Sequence, residues 1–141
     1  MAAWQFWALA GALFAALTAI FGKLGVHGVS PDVATLVRSA IILIALFSLV
    51  AATRQLPELA HASARTYLFL VLSGLATGAS WWCYFRALQL GDAARVAPLD
   101  KLSVVLVAVF GVLFLGEKLT LVNWLGVSLM ALGAWCVTLR T

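Results

Sequence analysis

Residues 97–119 read APLDKLSVVLVAVFGVLFLGEKL. An acid and a base, Asp100 and Lys101, stand directly before a long apolar run, and the run closes on Gly116-Glu117-Lys118. In water this pattern is a core helix with a polar start. In a bilayer it says more, because charge at the edge of a hydrocarbon slab is costly unless something there uses it. The rest of the chain decides between the two.

Composition decides for the bilayer. Of the 141 residues, 65% are hydrophobic and 10% are charged, against roughly 45–50% and about 25% in soluble domains. No polar surface could cover such a core, so apolar surface must face lipid. The predicted fold class is an all-α membrane protein of five transmembrane helices. The net charge of +4 does not point to nucleic acid, since Lys and Arg are scattered singly without a basic face. Trp4, Trp7, Trp81, Trp82, Trp124 and Trp135 mostly fall near the ends of apolar runs, as an interfacial aromatic belt requires. Cys83 and Cys136 lie inside apolar segments and read as small buried hydrophobes. His27 and His61 are isolated in predicted loops, and no metal-ligand spacing is present. There is no P-loop, dinucleotide fingerprint or nucleophile elbow, and Ser39, Ser73, Ser80 and Ser103 have no recognisable His base. The expectation is no metal, no cofactor and no enzymatic chemistry.

The hydropathy pattern predicts helices over residues 4–24, 32–53, 66–90, 93–115 and 121–139 of a single domain. The first apolar region has no preceding Lys or Arg and runs too long for a signal-peptide core, so it is expected to stay as a span. Gly25, Gly28 and Pro31 make a loop, and Ser30-Pro31-Asp32 reads as a helix start. The clean apolar part of the second helix, residues 40–52, reaches only about 20 Å at 1.5 Å per residue, short of the roughly 30 Å of hydrocarbon. Spanning therefore draws Arg38 into the membrane edge. Residues 54–65 are the most polar stretch and are expected to be a solvent loop. Two starts are open for the fourth helix. If Asp92 caps it, Pro98 kinks it and frees a carbonyl near Ala94; if it starts at Pro98, Asp100 is a first-turn acid favoured by the helix dipole. Arg140 is the expected stop after the last helix. Gly126 and Gly133, a heptad apart, share a face that serves either close packing within the chain or a dimer seam.

Counting spans sends ionisable groups from three helices to one end of the bundle: Arg38, Arg86, and the adjacent Asp100 and Lys101. Two readings are open. One is a solvated vestibule lined by these four residues and flanked by Trp81, Trp82 and Tyr84, in which Asp100 takes a proton or a cationic group and the bases take anionic groups. The other is snorkelling, with Arg and Lys reaching the headgroups and Asp100 pairing with one of them. Lys23, Arg95 and Arg140 add to the same side, and Arg54, Arg65 and Lys118 to the opposite one. If the embedded bases count, the first side is cytoplasmic; if not, the bias vanishes and one sequence can insert both ways. That near balance and the odd helix number point to an antiparallel homodimer.

The fourth helix with its exit, VAPLDKLSVVLVAVFGVLFLGEKLT, followed by NWLGVSLMALGAWCV, resembles the EamA-type transporters of the drug/metabolite transporter superfamily. Gly116-Glu117-Lys118-Leu119-Thr120 at the end of an apolar helix matches the family's characteristic ending. Lys23 at the end of the first helix, Ser30-Pro31 followed by Arg38, and Tyr84-Phe85-Arg86-Ala87-Leu88 also fit. Most members have ten helices, as two five-helix repeats in inverted orientation, and this chain is similar to the short five-helix bacterial and archaeal members. The resemblance implies a half-repeat of an inverted-repeat transporter for small metabolites or drugs, multi-pass in the plasma membrane and working as an antiparallel pair. The first helix has no acidic residue, so the cation exchange that smaller multidrug-resistance relatives run through a Glu there is not implied. Asp100 is the embedded carboxylate left to couple protons. The competing reading, from the small size and absence of a soluble domain, is a non-transporting subunit that anchors a partner.

Overall fold

The computed structural model describes residues 3–139. Its elements are α1 (Ala3–Gly25), α2 (Pro31–Ala52), α3 (Glu58–His61), α4 (Ala64–Leu90), α5 (Ala93–Asp100), α6 (Ser103–Leu115) and α7 (Leu121–Thr138). Among the described residues there is no strand, and five helices are long and apolar enough to cross a membrane. The fourth of these, Ala93–Leu115, is α5 followed by α6. The expected stop at Arg140 lies outside the described residues. The chain divides into two compact units, residues 21–89 and residues 1–20 with 90–141, and α1 contributes to each.

In the unit of residues 21–89, the start of α2 follows from three adjacent residues. Ser30 is the N-cap in extended conformation, and its Oγ accepts from the Val33 N–H at 3.3 Å. Pro31 occupies the first turn, where its missing N–H has no helical partner to lose, and Asp32 complements the positive end of the helix. At the other end, the Arg54 N–H donates to Ala51 O and the Gln55 N–H to Val50 O. These are the paired bonds of a Schellman close. Arg54 takes the left-handed position, φ 58°, usually given to Gly. The polar stretch that follows is not all loop: Glu58–His61 form the single turn α3, with Pro57 before it. Ser63 Oγ then accepts from the Thr66 N–H, and the Tyr67 hydroxyl donates to Leu59 O, so the connection is fastened to the head of α4.

Packing in this unit concentrates where the end of α1, the start of α2 and the end of α4 lie. Val26, Phe85 and Leu88 are buried there, and Leu88 is fully enclosed. Gly22 faces this cluster. A Cβ at Gly22 would stand 3.4 Å from both Leu88 Cδ1 and Phe85 Cε1, in ordinary contact, so a methyl group would just fit and a bulkier side chain would press on both. Lys23 turns its Nζ onto Leu88 O at 2.8 Å, supplying a donor to a carbonyl of the last turn of α4.

In the unit containing residues 90–141, α7 packs along α5 and α6. Gly111 on α6 and Ala134 on α7 are buried. The half-buried or buried residues of α7 recur as Trp124, Val127, Ala131, Ala134 and Thr138, the spacing of one helix face. Thr120 caps α7 by accepting the Asn123 N–H at 3.3 Å. Gly116 closes α6 with φ 69°, a conformation open to Gly without a Cβ clash. Cys83 and Cys136 are exposed, not buried as expected from their apolar surroundings in sequence. The surroundings of a span are lipid as well as protein, and hydropathy does not tell the two apart.

Leu88→Ala should lower the stability of the detergent-solubilised protein by about 2–5 kcal/mol, the range for emptying an enclosed leucine site. Leu43→Ala on the exposed face of α2 should change it by less than about 0.5 kcal/mol. Thermal unfolding followed by circular dichroism compares the two.

Candidate functional site

The candidates divide between the two units. In the first, Arg38 stands seven residues beyond Pro31, about 10 Å along the axis of α2 at 1.5 Å per residue. Its guanidinium carbon lies 4.2 Å from the ring centroid of Trp81 and 5.4 Å from that of Phe85. Trp81 and Phe85 are four apart on α4 and so present one stripe. Helical spacing thus builds an aromatic platform, and the cation is attracted to the negative faces of its rings. Tyr84, half-buried on the next position of α4, lies within electrostatic reach of the guanidinium.

Trp82 and Arg86 point elsewhere. The Trp82 indole N–H donates to the Asp32 carboxylate at the head of α2. That charge-assisted bond fastens α4 to α2 beside the Arg38 stack and engages the acid on the same helix as Arg38. Arg86 is exposed, and among the described residues it has no hydrogen-bond or ion-pair partner. The structure therefore brings Arg38, Trp81 and Phe85 together, and joins Trp82 to Asp32. Nothing in the sequence alone marks Phe85 or Asp32 as a site residue. Asp32 reads there as a first-turn acid, and nothing local ties it to a tryptophan fifty residues on.

In the second unit, the helix does start at Ala93 with Asp92 in the N-cap position, although the Asp92 side chain makes no capping bond. Pro98 lies within α5, and the interruption comes after it, at Lys101-Leu102. The backbone tightens there: the Lys101 N–H donates to Pro98 O at 3.1 Å and the Leu102 N–H to Leu99 O at 3.0 Å. Both are i→i−3 bonds, the shorter step of a 3₁₀ turn. Asp100 ends α5, where the helix dipole disfavours it, and precedes α6, where the dipole favours it. Lys101 Nζ meets Asp100 Oδ2 at 3.3 Å, with side chains 55% and 34% exposed. One contact leaves further donor capacity on Lys101 and acceptor capacity on Asp100 for other partners.

The exit of α6 carries a second arrangement. Gly116 turns the chain so that the Glu117 N–H donates to Gly111 O at 3.1 Å. The Glu117 carboxylate lies over Gly111, with Oε2 2.6 Å from where a Cβ would be. The bare backbone of Gly111 is what admits it. On α7, Gly126 and Gly133 are exposed, and a Cβ at either would meet nothing within 4 Å. Within their own unit they are not used for packing.

Five apolar spans, the fourth tightened beside charged residues, mark a multi-pass integral membrane protein. The chain belongs to the EamA-like transporter family, whose model matches residues 2–139. It is thus a multi-pass membrane transporter, acting on a small-molecule substrate within a lipid bilayer. It is 65% identical over 131 residues to a Sinorhizobium protein named "Uncharacterized transporter in cobO 3'region", with 93% of each chain covered. No solved structure matches the chain.

A double-mutant cycle should detect the cation–ring contact. Arg38→Met and Trp81→Leu, alone and together, are expected to show a coupling of about 0.5–2 kcal/mol in unfolding free energy. A coupling of zero would mean that the stack does not form in the folded protein.

Proposed function

We propose that the protein is a secondary transporter of small metabolites or drugs in the plasma membrane, and that it works as an antiparallel homodimer. The observation that carries the reading is the 3₁₀ turn inside the fourth span. A short stretch of 3₁₀ within a longer helix often marks a functional hinge, and irregular turns in spans are where carriers of inverted-repeat design hold substrate and coupling ions. Here the turn coincides with Asp100 and Lys101. Asp100 takes the proton or a cationic group, and Lys101, Arg38 and Arg86 take anionic groups. Trp81, Trp82 and Tyr84 supply aromatic surface to the substrate.

Two features support the pair. The family's usual ten helices are two inverted sets of five, so a second copy inserted the other way would complete the set. The exposed face of α7 carrying Gly126 and Gly133 has the small residues that let helices approach closely, and its own unit leaves it open.

Reporters fused to the C-terminus, one active in the cytoplasm and one outside, should both give signal in cells. A signal from one alone would rule out the self-sufficient antiparallel pair. Asp100→Asn and Arg86→Ala should each abolish uptake or efflux in proteoliposomes while leaving folded, monodisperse protein. Normal transport by both variants would overturn their assignment, and co-purification with a fixed partner without flux would favour an anchoring subunit instead.

A further inference from the structure

We propose that Arg38, laid against Trp81 and Phe85, is an oxyanion-binding site that takes a carboxylate or phosphate group. The proposal deepens the transporter reading by naming the chemistry of one substrate group, and it rests on that reading only for the claim that the oxyanion is cargo.

The argument starts from what Arg38 lacks. A guanidinium has five N–H donors and no acceptor. Among the described residues, none of these donors makes a hydrogen bond and no carboxylate pairs with Arg38. The ion pair that does occur is Asp100 with Lys101, and Asp32 accepts from Trp82. A cation inside an apolar span without acceptors is costly, and such residues usually mark a substrate or ion path.

The rings hold Arg38 but do not satisfy it. Trp81 and Phe85 interact with the charge through their faces and offer no hydrogen-bond acceptor. The side-chain nitrogens remain accessible, since no buried polar atom of the described residues is left unpartnered. What remains is a fork of donors fixed by a stack, the geometry that matches two oxygens of a carboxylate or phosphate. Arg86 and Lys101 are less suited. Arg86 is exposed and has no ring contact, and Lys101 already has Asp100.

A free solute and a phospholipid headgroup carry the same oxyanion chemistry, and one titration separates them. The full-length chain is held in dodecyl maltoside, whose headgroup has no anion. Tryptophan fluorescence is followed as acetate, inorganic phosphate or phosphatidylglycerol is added, with chloride matching the ionic strength. Trp81→Phe identifies the part of the signal that belongs to Trp81.

A saturable response to acetate or phosphate that vanishes in Arg38→Gln establishes the site with a soluble anion as occupant. A response to phosphatidylglycerol alone, again lost in Arg38→Gln, establishes it with a lipid headgroup as occupant. Arg38→Lys keeps the charge, loses the fork and should weaken binding about tenfold, which also guards against a folding defect in the glutamine variant. No response to any of the three probes, or an unchanged response in Arg38→Gln, overturns the proposal. Anion binding without flux of that anion in proteoliposomes would show that the oxyanion is not cargo and leave the site standing.

Discussion

Hydrocarbon offers no hydrogen bonds, so each polar group that enters it must find its partner within the protein. Much of this chain can be understood as compliance with that constraint. The hydroxyls of Thr35, Ser39 and Thr77 donate to carbonyls one turn back on their own helices. Lys23 is satisfied on the last turn of α4, and Asp32 by the Trp82 indole. Against this background two places stand out, the guanidinium of Arg38 stacked on rings without a hydrogen-bond acceptor among the described residues and the tightened backbone at Lys101-Leu102.

Within the unit of residues 21–89, α2 and α4 are joined chiefly by long side chains. Asp32 with Trp82, and Arg38 with Trp81 and Phe85, span the distance between them. The well-enclosed core is confined to the surroundings of Val26, Phe85 and Leu88. Polar fastening and the small core occupy the same end of these helices, while residues such as Leu43, Ile44 and Leu72 along the helix middles are exposed. In a bilayer, lipid takes the place that a hydrophobic core would fill in water, and burial need not be complete for a helix to be stable.

The five spans were legible because a stretch of about 20 apolar residues has few other uses. The start of α2 was legible because Ser30 and Pro31 each contribute a local, additive preference. The break in the fourth span was only half legible. Pro98 announces a disturbance, but α5 runs through it, and the chain tightens at Lys101-Leu102 through i→i−3 bonds instead. The turn α3 is masked by the polarity of its stretch, which reads as loop although Pro57-Glu58 is a recognisable helix start. The Arg38 platform was partly visible, since Trp81 and Arg38 were both candidates; Phe85 was hidden by its ordinary hydrophobic character. The engagement of Trp82 with Asp32 depends on which faces of α2 and α4 meet, and no local pattern encodes that.

The fold-back of Glu117 onto Gly111 ties two positions into a single unit of inheritance. A methyl group at 111 would occupy the space now held by a carboxylate oxygen. The clash is with the end of a flexible side chain, so the helix itself would survive the change while the acid would have to swing out. Substitution at 111 is therefore expected to be neutral for folding yet to relocate a negative charge at the mouth of α6. Among related chains, the identity of the residue six places later should follow whether 111 is bare, so a glycine in the middle of an apolar helix becomes a marker for where the acid at its exit is kept.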